Sequence, residues 1–280
     1  MRAARVEHRG RRHAAVVTDD GVRLVPEPDL EPIDVISRQG WEALAERATD
    51  TVAAGDVRFL APVGRPSKIL GAGLNYRDHA DEQGAELPEK PIIFAMLPSS
   101  VIGPGDPIPL HPEVARLDYE AELAVVIGRR AYRVSRSQAL DVVAGYTALN
   151  DVSARDLQRS DRQWARAKGM DGYTPMGPVL VSPEEIDATA VDIRCFVNGE
   201  LRQDSNTRNL ALDIPGLIEY CSGGVTLEPG DVIATGTPGG VGFAMDPPRY
   251  LTEGDVIIVE IEGIGRLTNP VGGDQSSSAK

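Results

Sequence analysis

Glu120 and Glu122 stand two residues apart in Asp118-Tyr119-Glu120-Ala121-Glu122-Leu123-Ala124-Val125-Val126-Ile127-Gly128, and Leu123 to Ile127 is apolar and partly β-branched. Such a run reads as a buried strand. Side chains alternate faces along a strand, so the two carboxylates point the same way, with Cα atoms roughly 6–7 Å apart. Two ionised carboxylates that close against an apolar core must raise a pKa, recruit arginine or lysine, or share a metal. An isolated Glu-x-Glu is more often a surface pair facing lysines across a sheet. A third acid shifts the balance, because Tyr146-Thr147-Ala148-Leu149-Asn150-Asp151 reads as another strand ending in a carboxylate. Glu120, Glu122 and Asp151 together form an all-oxygen set suited to magnesium, manganese or calcium rather than zinc.

A candidate base lies upstream. Asn75-Tyr76-Arg77-Asp78-His79-Ala80-Asp81-Glu82 puts His79 and Glu82 at i, i+3, on one face of a short helix that Asn75 could cap. A carboxylate beside an imidazole raises its basicity and fixes its orientation, as activation of water requires; an exposed helix pair without a role has the same spacing. Lys168 sits in a glycine-flanked loop, Ala167-Lys168-Gly169-Met170-Asp171-Gly172, where a lone lysine is ordinarily solvated. The turn Thr235-Gly236-Thr237-Pro238-Gly239-Gly240-Val241-Gly242 could hold an anion on backbone N–H groups, but it lacks the Gly-Lys-Ser/Thr of a phosphate loop. His8, His13 and His111 read as exposed turn residues.

The elements that must carry these groups are mostly strands. Ala4 to Glu7, Ala14 to Thr18 and Val22 to Val25 alternate, with Asp19-Asp20-Gly21 as a hairpin turn, Pro26 ending the third strand, and a helical piece at Trp41 to Arg47. Pro62, Gly64 and Pro66 then punctuate the chain. Residues 1–66 are accordingly expected to form a small β-rich subdomain, 67–271 the main domain and 272–280 a polar tail. Ser135 and Gln138 fit a capping box opening a short crossover helix that returns the chain from the Glu120/Glu122 strand to the Asp151 strand. Asn198-Gly199 marks the clearest hairpin. The pattern as a whole predicts a β-rich α+β fold.

Composition narrows the function. A formal net charge of −13 over 280 residues argues against nucleic acid or an anionic membrane as partner. Cys195 and Cys221 form no Cys-x-x-Cys pair and imply neither a disulfide framework nor a zinc site. The arginine-rich N-terminus leads into no apolar stretch of secretory type, and no run approaches membrane-spanning length, so a cytoplasmic protein is expected.

Five motifs in order, D-Y-E-A-E-L-A-V-V-I-G, N-D-V-S-A-R-D, K-G-M-D-G-Y-T-P-M-G-P, V-N-G-E-L-R-Q-D-S-N-T and T-L-E-P-G-D-V-I-A-T-G-T-P-G-G-V-G, resemble the fumarylacetoacetate hydrolase family from about Lys68 to Pro270. The resemblance implies a rolled mixed β-sheet with short helices, usually a homodimer, in the acylpyruvase and hydroxydienedioate isomerase-like branch. It implies a catalytic dyad of His79 and Glu82 on a lid continuing through 83–91. It also implies a divalent cation, magnesium first, on Glu120, Glu122 and Asp151. Lys168 would bind substrate oxygen beside the cation, and Gln158 and Thr237 would contact substrate. Met96 and Leu97 depart from the lysine and proline of many relatives. The leading expectation is metal-dependent hydrolysis of a C–C bond in a small acylpyruvate-type acid, with the dyad activating water and Lys168 stabilising the resulting enolate. Oxaloacetate decarboxylation or isomerisation of a 2-hydroxydienedioate would use the same groups. A catalytically idle, metal-stabilised binding domain is the reading from another class.

Overall fold

In the computed structural model, which describes residues 1–272, the run Ala121–Ile127 is a strand buried along its whole length. Alternate residues feed two separate cores, Leu123, Val125 and Ile127 into one and Ala124 and Val126 into the other. Both faces of the strand are covered, which is why its sequence shows no polar alternation.

The chain opens with the antiparallel meander β1 (Arg2–His8), β2 (Arg11–Thr18) and β3 (Gly21–Pro28), followed by α1 (Pro32–Gln39), α2 (Trp41–Arg47), β4 (Asp50–Val52) and β5 (Arg58–Leu60). Next come β6 (Ile69–Gly73), α3 (Arg77–Glu82), β7 (Ile92–Met96), β8 (Val101–Ile102), β9 (Leu117–Asp118) and the buried strand β10 (Ala121–Ile127). The second half contains β11 (Val143–Asn150), β12 (Ser153–Ala154), α4 (Arg155–Asp161), α5 (Trp164–Lys168), β13 (Thr174–Val181), β14 (Asp192–Val197) and β15 (Glu200–Asn206). It closes with α6 (Ile214–Ser222), β16 (Val232–Ala234), β17 (Val256–Ile261) and β18 (Gly265–Pro270). A mixed twelve-stranded sheet runs β4-β3-β2-β1-β13-β11-β10-β16-β6-β7, with β5 added to β1 and β8 to β13. A four-stranded sheet, β15-β14-β17-β18, packs its apolar side (Ile193, Val259, Leu267) into the same core as Leu123. The β-rich α+β class expected from the pattern is the one observed. Because β1 pairs with β13, residues 1–66 extend the sheet that carries β10 and β11.

Several local expectations fail: His8 and His13 are half-buried strand residues of β1 and β2 rather than exposed turn residues. β3 continues past Pro26 to Pro28, because its register with β2 shifts between His13 and Ala15 and the irregularity absorbs a residue with no N–H to donate. Ser135 does not close a capping box: its hydroxyl bonds Gln138 Oε1 at 2.9 Å, and the segment Arg136–Val142 is a 3₁₀ helix. Asn75 does not cap α3, where Tyr76 occupies the cap position; its amide instead crosses to the Leu212 and Thr235 carbonyls at 2.9 and 2.8 Å. The Asn198-Gly199 turn forms as expected, with φ of 53° and 80°. Of the tail expected at 272–280, all but Gly272 lies outside the described residues.

Candidate active site

β10 and β11 are antiparallel, with Ala121 opposite Asn150 and Glu122 opposite Leu149. Glu120 and Asp151 therefore leave the sheet side by side. The Asp151 N–H donates to the Glu120 carbonyl at 2.9 Å, and the Glu120 N–H donates to Asn150 Oδ1 at 3.0 Å. This pairing brings one carboxylate oxygen from each of Glu120, Glu122 and Asp151 within 4.8 Å of one another, all three residues buried. Lys168, at the end of α5, donates from Nζ to Glu120 Oε2 at 2.8 Å, Asp151 Oδ2 at 2.6 Å and Ser153 Oγ at 2.9 Å. Arg155, opening α4, meets the other Glu120 oxygen at 2.7 Å and Asp118 Oδ2 at 2.9 Å.

Four buried carboxylates, Asp118, Glu120, Glu122 and Asp151, thus share two buried cations, Lys168 and Arg155, leaving a deficit of two positive charges. That deficit matches one divalent ion. Burial, and then the charges of Asp151 and Glu120, push Glu122 well above the usual carboxylate range. Burial likewise raises Asp151 to about 7 against the pull of Lys168. Burial also opposes ionisation of Glu120, but Lys168 and Arg155 outweigh it and hold this carboxyl at about 2. Asp151 Oδ1 is buried with no hydrogen-bond partner. An orphaned oxygen, carboxylates that resist sharing the site as anions and an oxygen-only donor set all fit a hard divalent cation.

On α3, His79 Nδ1 lies 3.2 Å from Glu82 Oε2, and Glu82 Oε1 accepts the Gly240 N–H at 2.8 Å. With Nδ1–H donated to Glu82, Nε2 presents its lone pair, which the Gln83 amide nitrogen meets at 2.8 Å. Phe243 stands edge-on to the imidazole, centroids 6.4 Å apart, and its face lies 4.4 Å from the Arg155 guanidinium carbon. The glycine-rich turn does hold anions, but they are the chain's own carboxylates. Gly236 N–H donates to Glu122 at 2.7 Å, Gly240 to Glu82, and Gly242 and Phe243 to Asp118 at 2.8 and 3.1 Å. Gly240 needs to be glycine twice over: its φ is +102°, and a Cβ there would fall 2.0 Å from the Arg202 carbonyl oxygen.

A cavity of about 700 Å³ opens over this cluster, with His79, Glu120, Arg155, Gln158, Lys168 and Thr237 in its wall. Glu122 and Asp151 complete the acid cluster beside Glu120 without lining the cavity themselves. Gln158 accepts from Arg155 at 3.1 Å, and Thr237 Oγ1 accepts from buried Gln203 at 2.8 Å. The wall on β6 and β7 depends on missing side chains: a Cβ at Gly71 would meet the Phe94 ring at 2.3 Å, and one at Gly73 would meet Trp164 at 2.5 Å. Met96 lies outside the site, buried in the second core opposite Ile69.

Of the eight residues singled out in the sequence, His79, Glu120, Gln158, Lys168 and Thr237 line the cavity, while Glu122 and Asp151 stand beside Glu120 and Glu82 beside His79. Asp118, Arg155 and Gln203 escaped, although each stands inside a motif that carried the resemblance. Asp118 binds Arg155 and two amides of the 240–244 segment, so Asp118→Ala leaves a buried guanidinium half-paired and frees the segment bearing Phe243. The expected cost is about 3–5 kcal/mol in denaturant unfolding; a loss below about 1 kcal/mol would show that water replaces the tie.

Residues 68–272 match the family model for the fumarylacetoacetate (FAA) hydrolase C-terminal domain. The chain belongs to the fumarylacetoacetate hydrolase family. It is an enzyme of that family, and its relatives within it differ in reaction. The oxaloacetate tautomerase YisK of Bacillus subtilis is 48% identical over 222 residues, 78% of this chain and 74% of that protein. Among solved structures, a fumarylacetoacetate hydrolase from psychrophilic Exiguobacterium antarcticum superposes with a TM-score of 0.87 at 40% identity, covering 98% of this chain and all of that one. The maleylpyruvate hydrolase of Sphingobium sp. SYK-6, in complex with manganese(II) and pyruvate, superposes at 0.81 with 31% identity over 97% and 99% of the two chains. Among the described residues no helix is long and apolar enough to cross a membrane.

Proposed function

We propose that this family member interconverts the keto and enol forms of a small 2-oxo acid, with oxaloacetate the first substrate to test. The observation that carries the reading is the two-charge deficit beside a Glu-oriented imidazole on one cavity, and the identity to an oxaloacetate tautomerase supports it. A divalent ion held by Glu120, Glu122 and Asp151, magnesium or manganese, would supply the electrophile that acidifies the carbon next to the substrate carbonyl. His79 takes the proton from that carbon through Nε2 once the Gln83 amide gives way, and the electron pair moves onto the carbonyl oxygen. The Lys168 ammonium stabilises the charge developing there, and the imidazolium returns the proton to oxygen. Gln158 and Thr237 orient the substrate carboxylate. Hydrolysis of a C–C bond is the second reading, favoured by the Glu82–His79 contact, which also suits water activation, and by the hydrolases among the structural neighbours. The free, buried Cys195 and Cys221 suit a reducing compartment, and we place the protein in the cytoplasm as a homodimer.

The magnesium-loaded protein should accelerate the approach of oxaloacetate to its keto–enol equilibrium, read by ultraviolet absorbance, and chelator should remove the acceleration. Cleaved acid from an acylpyruvate panel would move the assignment to hydrolysis, and pyruvate with carbon dioxide to decarboxylation. Turnover undiminished in chelator would exclude the acidic cluster from the reaction.

A further inference from the structure

The cations around the cavity differ in how they are partnered. Lys168 and Arg155 are buried and ion-paired to Glu120, Asp151 and Asp118. Arg116 and Arg159 also line the cavity but are exposed, and among the described residues neither makes an ion pair. Unpaired arginines also occur elsewhere on the surface, so it is the position of these two, on the wall of the cavity that holds the acid cluster, that sets them apart. Two guanidinium groups without an acid partner thus face one cavity. Glu120 is the one acid in the cavity wall among the described residues, and Arg155 and Lys168 already occupy it.

Local pairing explains how they come together. β9 and β12 align Leu117 with Ala154 and Asp118 with Ser153, and the Arg155 N–H donates to the Arg116 carbonyl at 2.9 Å. Arg116 is thereby set against the start of α4, the helix that carries Gln158 and Arg159. The acid on that first turn, Asp156, accepts the Ala115 N–H at 2.9 Å instead of bridging to either arginine. The Arg116 guanidinium lies 5.9 Å from the ring centroid of Tyr250, a further wall residue, which restrains it.

We propose that Arg116 and Arg159 form the outer end of the substrate site and bind the distal carboxylate of a dicarboxylic 2-oxo acid. The acid cluster, Lys168 and His79 work on the 2-oxo end at the buried floor. Guanidinium suits this task because it pairs with a carboxylate through two parallel N–H donors, and here no internal ion pair must first be broken. The inference rests on the 2-oxo-acid reading above and adds the preference for a second carboxylate.

Calorimetric titration of the magnesium-loaded protein with two acids of equal chain length, 2-oxoglutarate and 2-oxopentanoate, isolates the distal carboxylate, and oxalate reports on the inner end alone. The wild-type protein should hold 2-oxoglutarate roughly tenfold or more tightly than 2-oxopentanoate. Arg116→Gln with Arg159→Gln should bring that ratio close to one while oxalate affinity stays within about twofold, and the paired lysine replacements should restore part of the ratio through charge alone. A wild-type ratio near one, or a ratio the glutamine variants leave unchanged, overturns the assignment. Oxalate binding that is absent from the wild-type protein would instead refute the 2-oxo-acid reading on which the assignment stands.

Discussion

His79→Ala is expected to lower kcat by about 10²–10⁴-fold while leaving affinity for the divalent ion unchanged. The magnitude is that of a positioned general base, and the selectivity follows from the geometry. His79 lies in the cavity wall but contributes no atom to the acidic cluster; its ring contacts are Glu82, Gln83 and Phe243. Substrate affinity should change little, because the groups assigned to binding are elsewhere. His79 is also 5% exposed and packed, so a truncation leaves a void that lowers activity for a trivial reason. His79→Gln fills more of that space and still cannot act as the base, so it should match the alanine variant in kcat. Recovery of activity by glutamine would reduce the imidazole to packing, and a parallel fall in metal affinity would make it a support of the cluster. Glu82→Gln should cost less, because it removes the orienting charge and keeps the base.

How much of this was legible beforehand depends on the range of the interaction that fixes each residue. Glu120 and Glu122 were visible because strand periodicity and an apolar run are local, and Asp151 because it ends a second such run. The short crossover read between the two runs brought their ends together, but the antiparallel register that sets Ala121 opposite Asn150 is a long-range fact that no local pattern carries. Arg155 and Lys168 are each one of many basic residues until burial beside carboxylates sets them apart. Lys168 was found only through its motif, and Arg155 was not found. The glycine-rich turn invited an anion, but no local rule says that the anions are Glu82, Glu122 and Asp118. Asn75 and Ser135 show the converse failure: both carry strong local capping signals, and both have their side chains drawn to partners other than the backbone amides they were expected to cap. The reaction itself was the least legible part, since proton transfer to carbon, C–C hydrolysis and decarboxylation begin from the same polarised carbonyl and the same base.

Lys168→Met should separate metal binding from catalysis most sharply. Lys168 is 2% exposed and its ammonium is bonded to Glu120, Asp151 and Ser153, so an apolar chain of similar length leaves Asp151 without a cation and Glu120 with Arg155 alone. In metal-free protein that loss should cost about 3–5 kcal/mol. The charge deficit of the cluster grows from two to three at the same time, and no cation then competes for Glu120 Oε2 and Asp151 Oδ2. Magnesium should therefore bind the variant more tightly, by roughly tenfold or more given the repulsion between close cations in a buried site, and should recover much of the lost stability through that affinity. Turnover should still fall by about 10²–10³-fold, because the donor for the developing oxygen charge is gone whatever the occupancy of the acids. Titration calorimetry and thermal unfolding with and without magnesium read the first two effects, and the keto–enol assay reads the third. Weaker magnesium binding in the variant would mean that lysine and ion do not share these carboxylates, and the cluster would then have to be reread as a closed network of ion pairs.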